Sequence, residues 1–150
     1  MNYEEITKKI KRIASQNLPV EEKMEQIISC LYEEFEKYNW IGVYLVKNNK
    51  LVLGPWRGEK PTEHTVIPIG KGICGAAAKT GRTEIVPDVK KDDRYLACFT
   101  STRSEIVVPI KKNGRIIGEI DIDSDFKNSF NEKDAFFLEK IATIISDFVN

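Results

Sequence analysis

Tyr3, Ile6, Ile10 and Ile13 recur at helical spacing, which predicts a short amphipathic helix at the start of the chain. After Asn17-Leu18-Pro19 the apolar stripe resumes with Val20, Met24, Ile27, Ile28, Leu31 and Phe35. This is a second, stronger helix, with Pro19 suited to its first turn. From Trp40 the period drops to two. Ile41, Val43 and Leu45 face one way, and Trp40, Gly42, Tyr44 and Val46 the other. Asn48-Asn49 reads as a hairpin turn into a strand over residues 51–56. Further strands are predicted at 64–69, 83–86, 105–110 and 115–123. The Ala-rich run 73–79, stopped by Gly81, predicts a short helix between them. Asn131 offers an N-cap, with Asp134 three residues on and Phe130 placed as a staple against Ala135. Phe137, Leu138, Ile141, Ile145 and Phe148 continue that last helix. Two helices, an antiparallel sheet with one inserted helix, and a closing helix make an α+β arrangement, expected as a single domain over 1–150.

Lys112-Asn113-Gly114 allows two hairpins. A two-residue Asn-Gly loop pairs Lys112 with Arg115 and mixes Ile106, Val108 and Ile110 on one face with Ile117, Glu119, Asp121 and Asp123. That mixture would ruin a core. A three-residue loop with Gly114 as a bulge pairs Lys111 with Arg115 instead. Ile106, Val108 and Ile110 then share a face with Ile116, Gly118, Ile120 and Ile122. The pattern predicts this second register. It sets Glu105 across from Asp121, with Asp123 two residues on, roughly 7 Å along the strand. Three carboxylates thus gather on the face that the apolar stripe leaves free. Either solvent bathes them, or a bound cation or proton relieves their repulsion. A divalent metal is a third reading, but no further ligand group with recognisable spacing stands nearby, so no metal is expected.

Composition narrows the classes. Across 150 residues the chain is 41% hydrophobic and 31% charged, a globular mixture. Twenty-three basic residues balance 23 acidic ones, so a bulk polycation that grips nucleic acid is not expected. No apolar run is long enough for a membrane span, and MNYEEITKK does not read as a signal peptide. A cytoplasmic protein is the expectation.

Cys30, Cys74 and Cys98 are too few and too scattered for a disulfide scaffold. Cys30 borders a helical stripe and reads as packing. Cys98 lies in the polar connection Asp92–Thr100, where chemistry is more often carried. Cys74 starts the short helix after Gly70-Lys71-Gly72-Ile73, a place that lowers a thiol pKa towards neutrality. A Cys98–Cys74 redox pair is one reading of these positions, and ordinary burial is the other. His64 stands at a strand start, where a partly exposed polar residue is the simpler reading than a Cys–His dyad. Trp40 and Tyr44 point away from the face of Ile41, and with Trp56 they could still be ordinary core aromatics.

Several segments together resemble the free methionine-(R)-sulfoxide reductases, which are single GAF domains. They are Asn39-Trp40-Ile41-Gly42-Val43-Tyr44-Leu45, Leu53-Gly54-Pro55-Trp56, Ile69-Gly70-Lys71-Gly72-Ile73-Cys74-Gly75, Ala97-Cys98, Ser104-Glu105-Ile106-Val107-Val108-Pro109 and Ile120-Asp121-Ile122-Asp123-Ser124. They occur in family order from about residue 36 to the last helix. The resemblance implies a GAF-like fold: a central antiparallel sheet of about six strands, with N-terminal and C-terminal helices packed on one face. It implies Cys98 as nucleophile and Cys74 as the cysteine that forms a disulfide with it. It implies Glu105, Asp121 and Asp123 in the substrate pocket, walled by Trp40, Tyr44 and Trp56. It also implies a homodimer recycled by thioredoxin, with no cofactor. Many members carry a further cysteine where this chain has His64, which points to Cys74 as sole resolver. Phe99 stands where many have an acidic residue. A GAF module that senses a small ligand without catalysis is the alternative class. A purely structural role would leave the acid face and the loop cysteine unexplained.

Overall fold

Asn2 opens the first helix by accepting the Glu5 N–H on its side chain at 3.2 Å, so α1 (Tyr3–Ser15) begins where its apolar stripe does. The computed structural model describes residues 2–96 and 99–149. Pro19 occupies the cap position of α2 (Val20–Glu34), one residue before the expected first turn. Then come β1 (Trp40–Lys47), β2 (Lys50–Gly58), β3 (Val66–Pro68), α3 (Gly72–Thr80) and β4 (Glu84–Val86). A single 3₁₀ turn over Val89–Lys91 precedes β5 (Ser104–Lys112), β6 (Arg115–Ser124) and α4 (Glu132–Phe148). The six strands form one antiparallel sheet in the order β3-β2-β1-β6-β5-β4.

The alternation expected for β1 decides the layering. Ile41 and Val43, with Ile106, Val108, Ile110, Ile120 and Ile122, meet the inner stripes of α1, α2 and α4. Burying each such side chain is worth about 1.5–3 kcal/mol. Trp40 and Tyr44 point the other way, into a second core with Leu51, Val86, Val107 and the α3 residues Ile73, Ala77 and Ala78. The sheet is therefore covered on both faces.

The last hairpin differs from expectation. Asn113 and Gly114 both take positive φ, 54° and 77°, and Lys112 pairs with Arg115 across a two-residue turn. That turn suits Asn-Gly, whose twist matches the flanking strands. The face conflict it creates is absorbed further in. Ile110 pairs with Gly118 and Lys111 with Ile116, leaving Ile117 as an extra residue. Beyond this bulge the isoleucine faces are as expected. Ile117, not Ile116, packs against the helical core, and Ile116 goes to the α3 side. Glu105 consequently pairs with Asp123, not Asp121, and Asp121 pairs with Val107.

Asp134 ties the helical layer together. Asn131 and Asp134 form a reciprocal capping box. Asp134 Oδ1 accepts from Lys37 Nζ at 2.7 Å and from the Tyr3 hydroxyl at 3.0 Å. Burial and this carboxylate push the Tyr3 hydroxyl up to about 12.

Candidate functional site

Alternation along β6 sends Glu119, Asp121 and Asp123 to the α3 side of the sheet, where Glu105 of β5 joins them. The residues beside them on β1 are Tyr44, Gly42 and Trp40. All four acids are buried, with exposures of 5% for Glu105, 0% for Glu119, 6% for Asp121 and 4% for Asp123. A solvated acid face is thereby excluded. The roof is α3 together with Tyr95 and Leu96. Gly72 makes it fit, since a Cβ there would lie 2.8 Å from Leu96 Cδ1 and its φ is +70°.

Between floor and roof lies a cavity of about 20 Å³, bounded by Tyr44, His64, Cys74, Leu96 and three of the acids. A wider cleft of about 480 Å³ adjoins it, lined by Trp40, Phe99, Thr100 and Thr102, with Asp123 common to both. Tyr44 donates its hydroxyl proton to the His64 carbonyl at 2.7 Å, tying the β3 approach to the wall. Trp40 is buried and stacks on Trp56 at 6.2 Å between ring centroids, with Phe99 tilted against it at 6.1 Å. Trp56 thus supports Trp40 and lines neither space. Its wall role is indirect.

Burial pushes Asp121 and Asp123 upward, and the charge of Asp121 pushes Asp123 further. Glu105 lies in reach of both aspartates and offsets part of that rise, and two carboxyl groups can share a hydrogen bond only when one keeps its proton. Cys74, in the first turn of α3, carries a free thiol in hydrogen-bonding reach of Asp121. The expected lowering of its pKa by the helix end is overturned. Burial first, then Asp121, Glu119 and Glu105, hold the thiol well above its ordinary value. A helix end is worth about 0.3–1 kcal/mol, less than losing water beside three acids.

Glu119 is the group that the sequence reading missed, although it shares the alternation of Asp121 and Asp123. Cys98 lies outside the described residues. The described residues that flank the 97–98 segment, Leu96 and Phe99, border the two spaces just described. Cys30 is half-buried against the helical core, as its stripe implied. His64 is partly exposed and borders the cavity. Cys74, Glu105 and Asp121 offer ligand atoms within 4.8 Å of one another, close enough to share a cation.

Residues 6–147 match the GAF domain family, and the chain is a GAF domain with a buried acid-and-thiol pocket. Over 112 residues it is 46% identical to the free methionine-R-sulfoxide reductase of Saccharomyces cerevisiae, an alignment covering 72% of this chain and 61% of the yeast protein. It superposes on the free methionine-R-sulfoxide reductase of Neisseria meningitidis in complex with its substrate with a TM-score of 0.91. Identity there is 36%, with 97% of this chain and 86% of that one covered. Against the type II enzyme of Thermoplasma acidophilum the TM-score is 0.82 at 40% identity, with 92% and 93% covered. The chain belongs to the free methionine-R-sulfoxide reductase family, a family of oxidoreductases.

Proposed function

We propose that this chain reduces free methionine (R)-sulfoxide to methionine, with Cys98 as nucleophile and Cys74 as resolving thiol. The observation that carries the reading is the buried Glu105/Asp121/Asp123 trio beside a free thiol. A substrate α-ammonium supplies the positive charge that such a trio lacks, and one protonated carboxyl supplies the proton that a sulfoxide oxygen needs. The Cys98 thiolate attacks the activated sulfur, methionine departs, and Cys98 is left as a sulfenic acid. Cys74 condenses with it to a disulfide and water. An external dithiol, thioredoxin in this proposal, then restores both thiols without any bound cofactor.

A cavity of about 20 Å³ holds little more than a water molecule, so substrate enters when Tyr95 and Leu96 draw back from α3. The adjoining cleft beside Asp123 offers the way in. The proposal includes a homodimer, for which the groove between α1 and α4, with Phe136 62% exposed, offers an apolar face. It also includes a cytoplasmic setting. Among the described residues no helix is long and apolar enough to cross a membrane. The test is dithiol-dependent loss of free methionine (R)-sulfoxide, compared with Cys98→Ser. Equal rates in the two proteins refute the assignment.

A further inference from the structure

We propose that the reduced pocket binds one zinc-class divalent cation between the Cys74 sulfur and the carboxylates of Glu105 and Asp121, and that this ion shuts substrate out. The site needs only the geometry of the described residues; the blockade alone rests on the substrate reading above. The ion is a blocker and not a cofactor. As it binds, the Cys74 proton leaves for solvent and a metal–sulfur bond takes its place, so no oxidant or reductant enters.

Cys74 of α3, Glu105 of β5 and Asp121 of β6 each offer a ligand atom, and these atoms lie within 4.8 Å of one another. In a tetrahedral zinc site, bonds of about 2.0–2.3 Å put neighbouring donors about 3.3–3.7 Å apart, so the widest pair here has to close by about 1.5 Å at most. The broad terminal torsions of Asp and Glu allow that adjustment. All three residues line the cavity of about 20 Å³, where Asp123 adds a further carboxylate. Such a volume takes one water-sized particle, which suits a bare ion and leaves no space for a hydrated one. Asp121 Oδ1 and Asp123 Oδ1 are buried without a hydrogen-bond partner, in residues 6% and 4% exposed. Each of these acceptors thus lacks both a donor and water, a costly state that a cation between them relieves. None of the ion pairs among the described residues involves Asp121 or Asp123.

The donor set selects the metal. Calcium asks for about six to eight oxygens, and magnesium keeps several of its waters. One sulfur with carboxylate oxygens in a closed space suits zinc instead. Ligand spacing along the chain could not announce this site, because its three donors come from a helix and two strands. Glu105 and Asp121 are also the carboxylates assigned to the substrate ammonium, so ion and substrate exclude each other.

The first probe is Co²⁺, which takes zinc's place and reports a thiolate ligand by a near-ultraviolet charge-transfer band. The reduced full chain should show that band with one ion bound. Cys30→Ser and Cys98→Ser should keep it, and Cys74→Ser should lose it. Competition with Zn²⁺ should give an affinity at least about tenfold weaker in Glu105→Gln and in Asp121→Asn, with circular dichroism confirming that each variant is folded. A band that persists in Cys74→Ser, or a zinc affinity unchanged in both acid variants, overturns the site. The blockade is read as methionine released in a single turnover without added dithiol, since dithiols themselves bind zinc. Zn²⁺ at about ten times its dissociation constant should slow that release about tenfold. Mg²⁺ and Ca²⁺ at the same concentration should not. Equal rates with and without zinc overturn the blockade. Failure of the proposed function looks different: the metal-free chain then releases no methionine, while the cobalt band keeps its dependence on Cys74, Glu105 and Asp121.

Discussion

Glu105 and Asp123 are direct partners across β5 and β6, and both side chains lie beneath α3. Like charges in that relation repel, the more so without water between them. The pair is stable only while a proton or a cation sits with it, and this makes charge on the ligand decisive.

N-acetylated methionine sulfoxide lacks the α-ammonium. Binding it would leave the Glu105/Asp121/Asp123 group desolvated without its counter-charge, at a cost of several kcal/mol. Its kcat/KM should therefore be lower than that of the free compound by orders of magnitude. Comparable values for the two compounds would refute this account of the acids.

Cys98→Ser should abolish turnover with the fold intact, because a hydroxyl is a far poorer nucleophile than a thiolate. Cys74→Ser should release about one methionine per chain and then stall with thioredoxin as reductant. Sustained turnover in Cys74→Ser would assign resolution to another group, Cys30 first. His64→Ala should change the rate little, since its side chain borders the cavity without a step assigned to it. A loss as deep as that of Cys98→Ser would restore the dyad.

Asp121, Asp123 and Glu119 all have folded-state pKa values raised above those of an unfolded chain, chiefly by burial. The stability that goes with their protons is fully present below the ordinary carboxylate range. It is lost as pH rises through the raised values. Thermal scans of the ligand-free protein should show Tm falling from mildly acidic towards alkaline pH. Asp123→Asn should flatten part of that fall. A native Tm that rises over the same interval would contradict the raised values.

Asp134→Ala removes the partner of Lys37, an acceptor for Tyr3 and half of the capping box. Loss of about 3 kcal/mol is expected from breaking a pair whose carboxylate is buried. Denaturant unfolding measures it, and a loss below about 1 kcal/mol would mean that the tie is replaced by water.

The faces of β1 and β6 were legible because period-two alternation is strong and both sides are buried. The caps of α3 and α4 were legible for a similar reason: Gly81 and Asn131 act within a few residues. The pairing of Glu105 was not, since turn chemistry at Asn113-Gly114 and the isoleucine pattern demanded different registers, and the Ile117 bulge satisfies both. The acids' burial depends on a roof contributed by α3 and the 95–96 segment, which no local pattern reveals. Cys74 was misjudged for the converse reason: the local helix end is outweighed by acids brought in from β5 and β6. Glu119 was readable in principle, as the next member of the Asp121/Asp123 alternation.

The central pairing of β1 with β6 joins Trp40 to Asp123, about eighty positions apart in the chain. Contacts of such span form late, because the entropy of closing the intervening chain must be met first. The β5–β6 hairpin brings the acids together locally, but the wall that β1 adds beside them is among the later parts of the sheet to form, and the acids keep their hydration until then. Their protons are taken up as the barrier to folding is crossed or afterwards. Refolding should accordingly slow, or unfolding quicken, as the solution is made alkaline, and stopped-flow measurements at two pH values separate the cases. A chain that folds around protonated acids thereby acquires a folding reaction that is itself a proton-uptake reaction.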